Sequence, residues 1–506
     1  MIKAAFIFVS AFIALILFSG YRTAKNRKQN HIEENAYKYF CELLGIPHGS
    51  GNEKAVSDYL VAFAKENRLD AVQDSAKNVL IRKNGSRGRE NEPPVILQVH
   101  MDMVCEKNDG VVHDFRKDPI IPIVDGDWIR AEGTTLGADN AGGVSIVMAL
   151  LAAKKLSHPP IEALITTEEE TSMGGAGNFN ISQLKGRRFI NMDAEADGVF
   201  VVSTAGGATA VTTLMVERED VPEGFAAYKL VVKDLASGHS GIDIHKGLAN
   251  ANVLMARLLD TLNEENICLT EISGGSAMNV IPKEAAAVIF FSESRLEIIK
   301  ASLARMESEF KAEYPLDINL TISLERAAAS GTVITRASFR KLIDCILTTP
   351  NGVQSMSPDF EGLVQTSNNL AIIAVPDPSK VVLRSFLRSS APPDLIHVIE
   401  KLKTQAEKTG ALVTSSIGAP AWEYKADSRL RNTMAGVFME LNDGRPPKIS
   451  ALHAGLEISI FAPKMPDGDF ISIGPTILSA HTTGERMSKS SFDRTCNFMV
   501  KVLEKL

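Results

Sequence analysis

Apolar positions near the start of the folded chain recur at helical spacing. Ile32, Ala36, Phe40 and Leu43 fall near one face, and Gly45 and Pro47 close the run, which predicts a helix over residues 32–44. Ser50 and Glu53 stand at capping-box spacing, and Val56, Tyr59, Leu60 and Phe63 continue as the buried stripe of a second helix. The pattern then shortens. Apolar runs at residues 95–99, 161–166 and 189–192 read as buried strands, with a helical stretch at 144–155 among them. Strands alternating with helices predict an α/β domain with a mostly parallel central sheet flanked by helices.

Around residue 208 the texture changes. Strand-like runs at 228–232 and 286–291 flank an amphipathic helix at 249–263, and another helix follows at 295–313. A second cycle runs from about 316 to 408, with strands at 318–324, 370–375 and 381–387 and helices at 339–348 and 393–408. This predicts an inserted α+β lid made of two tandem units. The expected layout is an N-terminal segment over 1–30, a main domain built from 31–207 and 410–506, and the lid over 208–409.

Composition narrows the class. A chain of 506 residues that is 45% hydrophobic and 23% charged folds, and it is too long for one core. A net charge of −7 with scattered Lys and Arg gives no reason to expect a nucleic-acid partner. Cys41, Cys105, Cys268, Cys345 and Cys496 form an odd set without a CxxC pair, which fits a reducing compartment and argues against a disulfide framework. Residues 4–20 are uncharged and mostly apolar, and Arg22, Lys25, Arg27 and Lys28 follow. The segment is expected to be an uncleaved membrane anchor with the main body on the cytoplasmic side; the alternative is export after signal-peptide cleavage.

Five short segments carry candidate chemistry. His100 and Asp102 lie on one side of a strand end, where a carboxylate can orient an imidazole. Asp139 lies in a glycine-rich turn before an apolar helix, a place where an acid also serves as a simple cap. Glu168, Glu169 and Glu170 follow a buried strand directly and repel one another unless something positive compensates. Asp193 closes another strand, and His481 sits in a turn-rich loop. Each signal alone has an ordinary structural reading. Together they supply the nitrogen and carboxylate ligands that zinc accepts, enough for two ions sharing one carboxylate.

The ordered motifs IPHGSGNEK, VHMDMV, VHDFRKDPI, GTTLGADN, TTEEETSMGGA, SGHSGIDIHKG, LHAGLE and GPTILSAHTTGER carry a resemblance to a known family. From about residue 32 to the C-terminus the chain resembles the aminoacyl-histidine dipeptidases, also called cytosolic non-specific dipeptidases, within the co-catalytic zinc metallopeptidases. The resemblance implies that Asp139 bridges two divalent ions, zinc or else manganese or cobalt. It places His100 and Asp193 on one ion and Glu170 and His481 on the other. Asp102 supports His100, and Glu169 is the general base. A cis peptide between Asp139 and Asn140 is also implied. In the lid, His239 stabilises the oxyanion, and Asn279 and Arg388 bind the substrate backbone and carboxylate. His453 and Glu457 line the pocket, with Glu457 facing the substrate amine. The implied activity is hydrolysis of unblocked dipeptides, Xaa-His among them, with a homodimer as the expected assembly. The alternatives are a deacylase or amidohydrolase on the same scaffold, against which Asp193 counts, and a catalytically silent, membrane-tethered peptide-binding protein.

Overall fold

The computed structural model describes residues 30–328 and 331–506, so the expected anchor at residues 4–20 lies outside the described residues. The chain divides into two compact units. One contains the chain up to Val202 with Lys425–Ser450 and Leu456–Leu506, and the other contains Ser203–Tyr424 and Ala451–Gly455.

Among the described residues, the first unit is organised on an eight-stranded sheet. Its order is Asp70–Gln73, Val79–Lys83, Ile161–Thr166, Val95–His100, Arg188–Asn191, Asp469–Ser472, Val199–Thr204 and Lys448–Leu452. The four strands from Ile161–Thr166 to Asp469–Ser472 are mutually parallel. Antiparallel strands flank this centre on both sides, so the α/β sheet is mixed. Val95–His100 and Ile161–Thr166 are buried along their whole length, which is why both read as mostly apolar runs rather than alternating ones.

The helices Asn30–Leu44 and Lys54–Glu66 follow their apolar stripes. The capping-box spacing has a different use. The second helix starts without a side-chain cap. Ser50 Oγ instead donates to Asp102 Oδ2, and Glu53 Oε1 accepts from the Gly51 and Glu168 amides. Helix Ala138–Ala152 begins six residues before the expected stretch at 144–155, because Ala138 to Leu151 are all buried and present no polar face to mark the start.

The second unit contains, among the described residues, a nine-stranded antiparallel sheet. One half is Thr321–Arg326, Phe225–Lys233, Ala285–Ser292 and Cys268–Gly274, carrying helices Ala251–Leu262 and Leu296–Glu313. The other half is Val364–Asp377, Lys380–Ser389, Gly206–Met215 and Leu412–Ile417, with Gly352–Met356 paired beside Val364–Asp377, and it carries helices Arg336–Thr348 and Pro392–Thr409. The halves join where Gly274 pairs with Ile373. Both α+β units are therefore present, and they are nested: the second takes its first strand, Gly206–Met215, from ahead of the first unit. Buried Leu254, Leu258, Ile299, Leu303, Leu342 and Ile346 from three helices pack into one core.

In the first unit Phe189 is fully buried, with ring centroids 5.3 Å from Phe461 and 5.1 Å from Phe470. Phe189→Ala should cost this unit about 3–5 kcal/mol, read as an earlier denaturant midpoint by tryptophan-independent circular dichroism. A shift below about 1 kcal/mol would mean that neighbouring rings refill the space.

Candidate metal centre and active site

The parallel strands Ile161–Thr166, Val95–His100 and Arg188–Asn191 end at one edge of the sheet, and the chain at or beyond those ends carries His100, Glu168 to Glu170 and Asp193. Sites in α/β sheets form at such carboxyl ends. Asp139 enters from the start of helix Ala138–Ala152, at a cis Asp139–Asn140 peptide. It is not the cap; Gly137 holds that position, in the left-handed region at φ 75°. His481 arrives in the loop of a small hairpin, Ile477–Leu478 paired with Arg486–Ser488, which is anchored on Trp128–Arg130.

Asp139 stands between two histidines. Its Oδ1 is 3.1 Å from His100 Nε2 and its Oδ2 is 3.1 Å from His481 Nε2. His100 Nε2 also lies 3.3 Å from Asp193 Oδ1, and His481 Nε2 lies 2.9 Å from Glu170 Oε2. Ligand-type atoms of His100, Asp139 and Asp193 thus fall within 4.8 Å of one another, as do those of Asp139, Glu170 and His481, and of His100, Glu169 and Glu170. Asp102 sits behind His100, with Oδ1 3.4 Å from Nδ1, and accepts from Ser50 Oγ and from the Glu169 and Glu170 amides. Glu168 turns away at φ 56° and is exposed.

The charges of the cluster are strongly coupled. Burial alone would lower His100, but Asp193, Asp102 and Asp139 outweigh it and hold the imidazole well above its ordinary value. Hydrogen bonds to Asp139 and Glu170 raise His481 to about 11. Burial pushes Asp193 up to about 6 and Glu169 well above the carboxylate range, the latter with help from Asp193, Glu170 and Glu457. Asp139 goes the other way: burial opposes its ionisation, yet the bonds to His100 and His481 hold it below the usual range. Protonated imidazoles here neutralise the acids. A divalent cation on the same atoms would do so in their place and expel the protons. The residues fit such an ion: the donors are imidazole nitrogens and carboxylate oxygens, and Glu170 Oε1 is buried with no hydrogen-bond partner among the described residues.

The remaining candidates fall into two places. Glu457 is fully buried in the first unit, where its Oε2 accepts from Gln98 Nε2 and Thr166 Oγ1, and burial raises it to about 8. His239, Asn279, Arg388 and His453 gather in the second unit. His239 lies on a two-stranded ribbon opposite Val280, and the Asn279 carbonyl accepts from the Ser240 amide. His239 Nδ1 accepts from the Gly241 and Ile242 amides, which leaves the proton on Nε2, 3.3 Å from Arg388 Nη2. Donor therefore faces donor, a pair suited to an oxyanion or carboxylate. Arg388 is 8% exposed, with its guanidinium 4.6 Å from the Phe386 ring centroid. Burial lowers Arg388 to about 10 and His453 to about 3; His453 Nε2 lies 2.7 Å from Ser367 Oγ. Gly241 is required by close approach, since a Cβ there would come 2.3 Å from the His453 carbonyl.

Two site residues were hidden in the sequence. Asn140 Nδ2 donates to Asp193 Oδ1 at 2.6 Å and to the Met192 carbonyl, aiming Asp193. Ser50 aims Asp102, and its position before a helix disguised it as a cap. No local pattern marks either role.

The Peptidase dimerisation domain of the M20 family matches residues 231–317. The cytosol non-specific dipeptidase of Escherichia coli (strain K12) is 35% identical over 92% of this chain and 96% of its own. The chain belongs to the cytosol non-specific dipeptidase family of M20 metallopeptidases. The crystal structure of aminoacylhistidine dipeptidase from Vibrio alginolyticus superposes with a TM-score of 0.82 at 35% identity, covering 93% of this chain and 96% of that one. An aminopeptidase from Bacillus cereus, 14% identical, shares the fold with a TM-score of 0.54 over 94% of this chain and 98% of its own.

Membership in this family corrects the expected membrane anchor, membrane partner and membrane location. The relative that aligns with 92% of the chain is a cytosol enzyme by name, and among the described residues no helix is long and apolar enough to cross a bilayer. The 17-residue apolar run at 4–20 is at the lower limit of a span, so its length was an insufficient reason for the assignment.

Because His481 keeps its proton up to about pH 11 in the metal-free protein, zinc binding should release protons around neutral pH and tighten as pH rises. Calorimetry in buffers of different ionisation enthalpy measures this, and tight binding without proton release would remove His481 from the ligand set. The sign for stability is opposite. The raised imidazole contributes fully below its unfolded pKa of about 6.5, and that contribution is lost as pH rises through about 11.

Proposed function

We propose that the chain hydrolyses unblocked dipeptides, Xaa-His among them, with two zinc ions. The observation that carries this reading is Asp139, whose two oxygens face two separate histidine–carboxylate groups. Asp139 would bridge the ions, with His100 and Asp193 holding one and Glu170 and His481 the other; manganese and cobalt accept the same ligands. Bound there, the ions would acidify a water and polarise the scissile carbonyl. Glu169 takes the proton of that water and hands it to the leaving amine. Asp102 keeps the His100 ring oriented. The donor pair His239 and Arg388 serves the developing oxyanion and the substrate carboxylate, with Asn279 on the substrate backbone and His453 beside them. Glu457 takes the free amine. The activities after which the E. coli and Vibrio relatives are named support the dipeptide substrate, and the match of 231–317 to a dimerisation domain supports a homodimer.

A panel of free and N-acetylated dipeptides, with zinc or manganese added, tests the reading. Free dipeptides alone should be cleaved; cleavage of the acetylated set would move the chemistry to deacylation, and no turnover with ions bound would leave a peptide binder. Glu169→Gln should keep both ions and lose about 10²–10⁴-fold in kcat. Loss of the ions in that variant would show Glu169 to be a ligand. His239→Ala should lower kcat by about 10²–10³-fold with KM little changed; a rise confined to KM would reassign it to ground-state binding.

A further inference from the structure

Glu485 belongs to the GPTILSAHTTGER segment, four residues beyond His481, and no role above uses it. It is 3% exposed. Its Oε2 accepts from the Leu136 amide at 2.7 Å and the Gly137 amide at 2.9 Å, and its Oε1 accepts from the Asp139 amide at 3.2 Å. Leu136 to Asp139 form the turn into helix Ala138–Ala152, and amides at a helix start have no partner in the helix itself. A carboxylate is suited to all three at once, because both of its oxygens only accept. The other end of the same side chain is rooted in the hairpin that brings His481 to 3.1 Å from Asp139 Oδ2.

We propose that Glu485 is a positioning residue that staples the His481 hairpin to the Asp139 turn and so sets the separation of two ligands before any ion arrives. The proposal rests on the ligand assignment above. Asp139 and His481 stand on segments more than 340 residues apart in sequence, so a few tenths of an ångström between them depends on what ties those segments together. Glu485 does so through the backbone, leaving the Asp139 carboxylate to the two histidines. Glutamine at this position would keep one accepting oxygen and turn an NH₂ toward a backbone N–H. Aspartate would keep the charge and fall short by one methylene.

Zinc titration against a competing chelator separates the outcomes, using the full chain as wild type, Glu485→Gln and Glu485→Asp. The expected result is a wild type that takes two zinc ions and variants whose zinc affinity falls about 10–100-fold at one or both sites. A residue that only stabilised the fold would lower the unfolding midpoint of the metal-free protein and leave the affinity of the folded form unchanged. A folded variant with wild-type affinity overturns the proposal while the ligand assignment stands; a wild type that binds no zinc overturns the ligand assignment first. A measurement on the native chain keeps the test independent of variant folding. In metal-free wild type the amides of residues 136, 137 and 139 should already be protected from hydrogen exchange, and free exchange there would show that no staple exists before metal.

Discussion

Like charge crowded out of water is the constraint on which the first unit depends. Asp102, Asp139, Glu169, Glu170 and Asp193 converge at one sheet edge around two imidazoles, and carboxylates this close cannot all ionise without compensation. The fold answers by aiming three of the acids with donors. Asp102 takes a hydroxyl and two amides, Asp193 takes the Asn140 amide, and Asp139 takes one histidine on each oxygen. Such directed contacts fix the rotamers of a site whose bare electrostatics would push its members apart. They also make the cluster a receiver of cations rather than a neutral hydrogen-bond network.

The second unit has the opposite bias. His239 and Arg388 present donors to each other, and among the described residues Arg388 Nε and His453 Nδ1 are buried without a partner. Buried polar atoms without partners are costly, and a partner brought by a ligand removes that cost. The second unit is therefore biased toward acceptors, as the first is toward cations. The two chemistries are built on different scaffolds for a physical reason. Strand ends and a helix start suit the rigid convergence of ligands, whereas a long antiparallel sheet offers neighbouring strands, such as those of Ser367 and Arg388, as a flat support for an arginine and its partners.

Much of this was legible before any coordinates. Residues 161–166 read as a buried strand because nothing polar but Glu162 interrupts them, and the acids after them stood out by chemistry rather than by propensity. What stayed hidden had a local disguise. The strand Gly206–Met215 is rich in Gly, Ala and Thr, and its pairing partners lie at 380–389 and 412–417, so neither periodicity nor neighbours announce it; the expected domain boundary at 207/208 falls inside it. Ser50 looked like a cap because capping and aiming a distant carboxylate both call for a hydroxyl before a helix. The anchor expectation rested on apolar length alone and is overridden by the 35% identity to a cytosol dipeptidase over 92% of the chain.

The nested second unit carries its own consequence. Its two halves share the order strand, helix, two strands, helix, strand, with one additional strand, Gly352–Met356, after the first helix of the second half, and they meet through Gly274 and Ile373. The dimerisation-domain match covers residues 231–317, which lie within one of these halves. In that half Gly274, the last residue of Cys268–Gly274, is already paired with a strand of the same chain. The outer strands Thr321–Arg326 and Leu412–Ile417 end the sheet path on either side, and Gly352–Met356 is a further edge strand beside Val364–Asp377. Leu412 and Ile417 are exposed on their strand, beside Met215 at the far end of the adjacent strand. An edge with apolar side chains and unpaired backbone groups invites pairing unless something covers or blunts it. A homodimer of this chain that extends the sheet from an outer edge would leave in place the Gly274 to Ile373 pairing that joins the two halves.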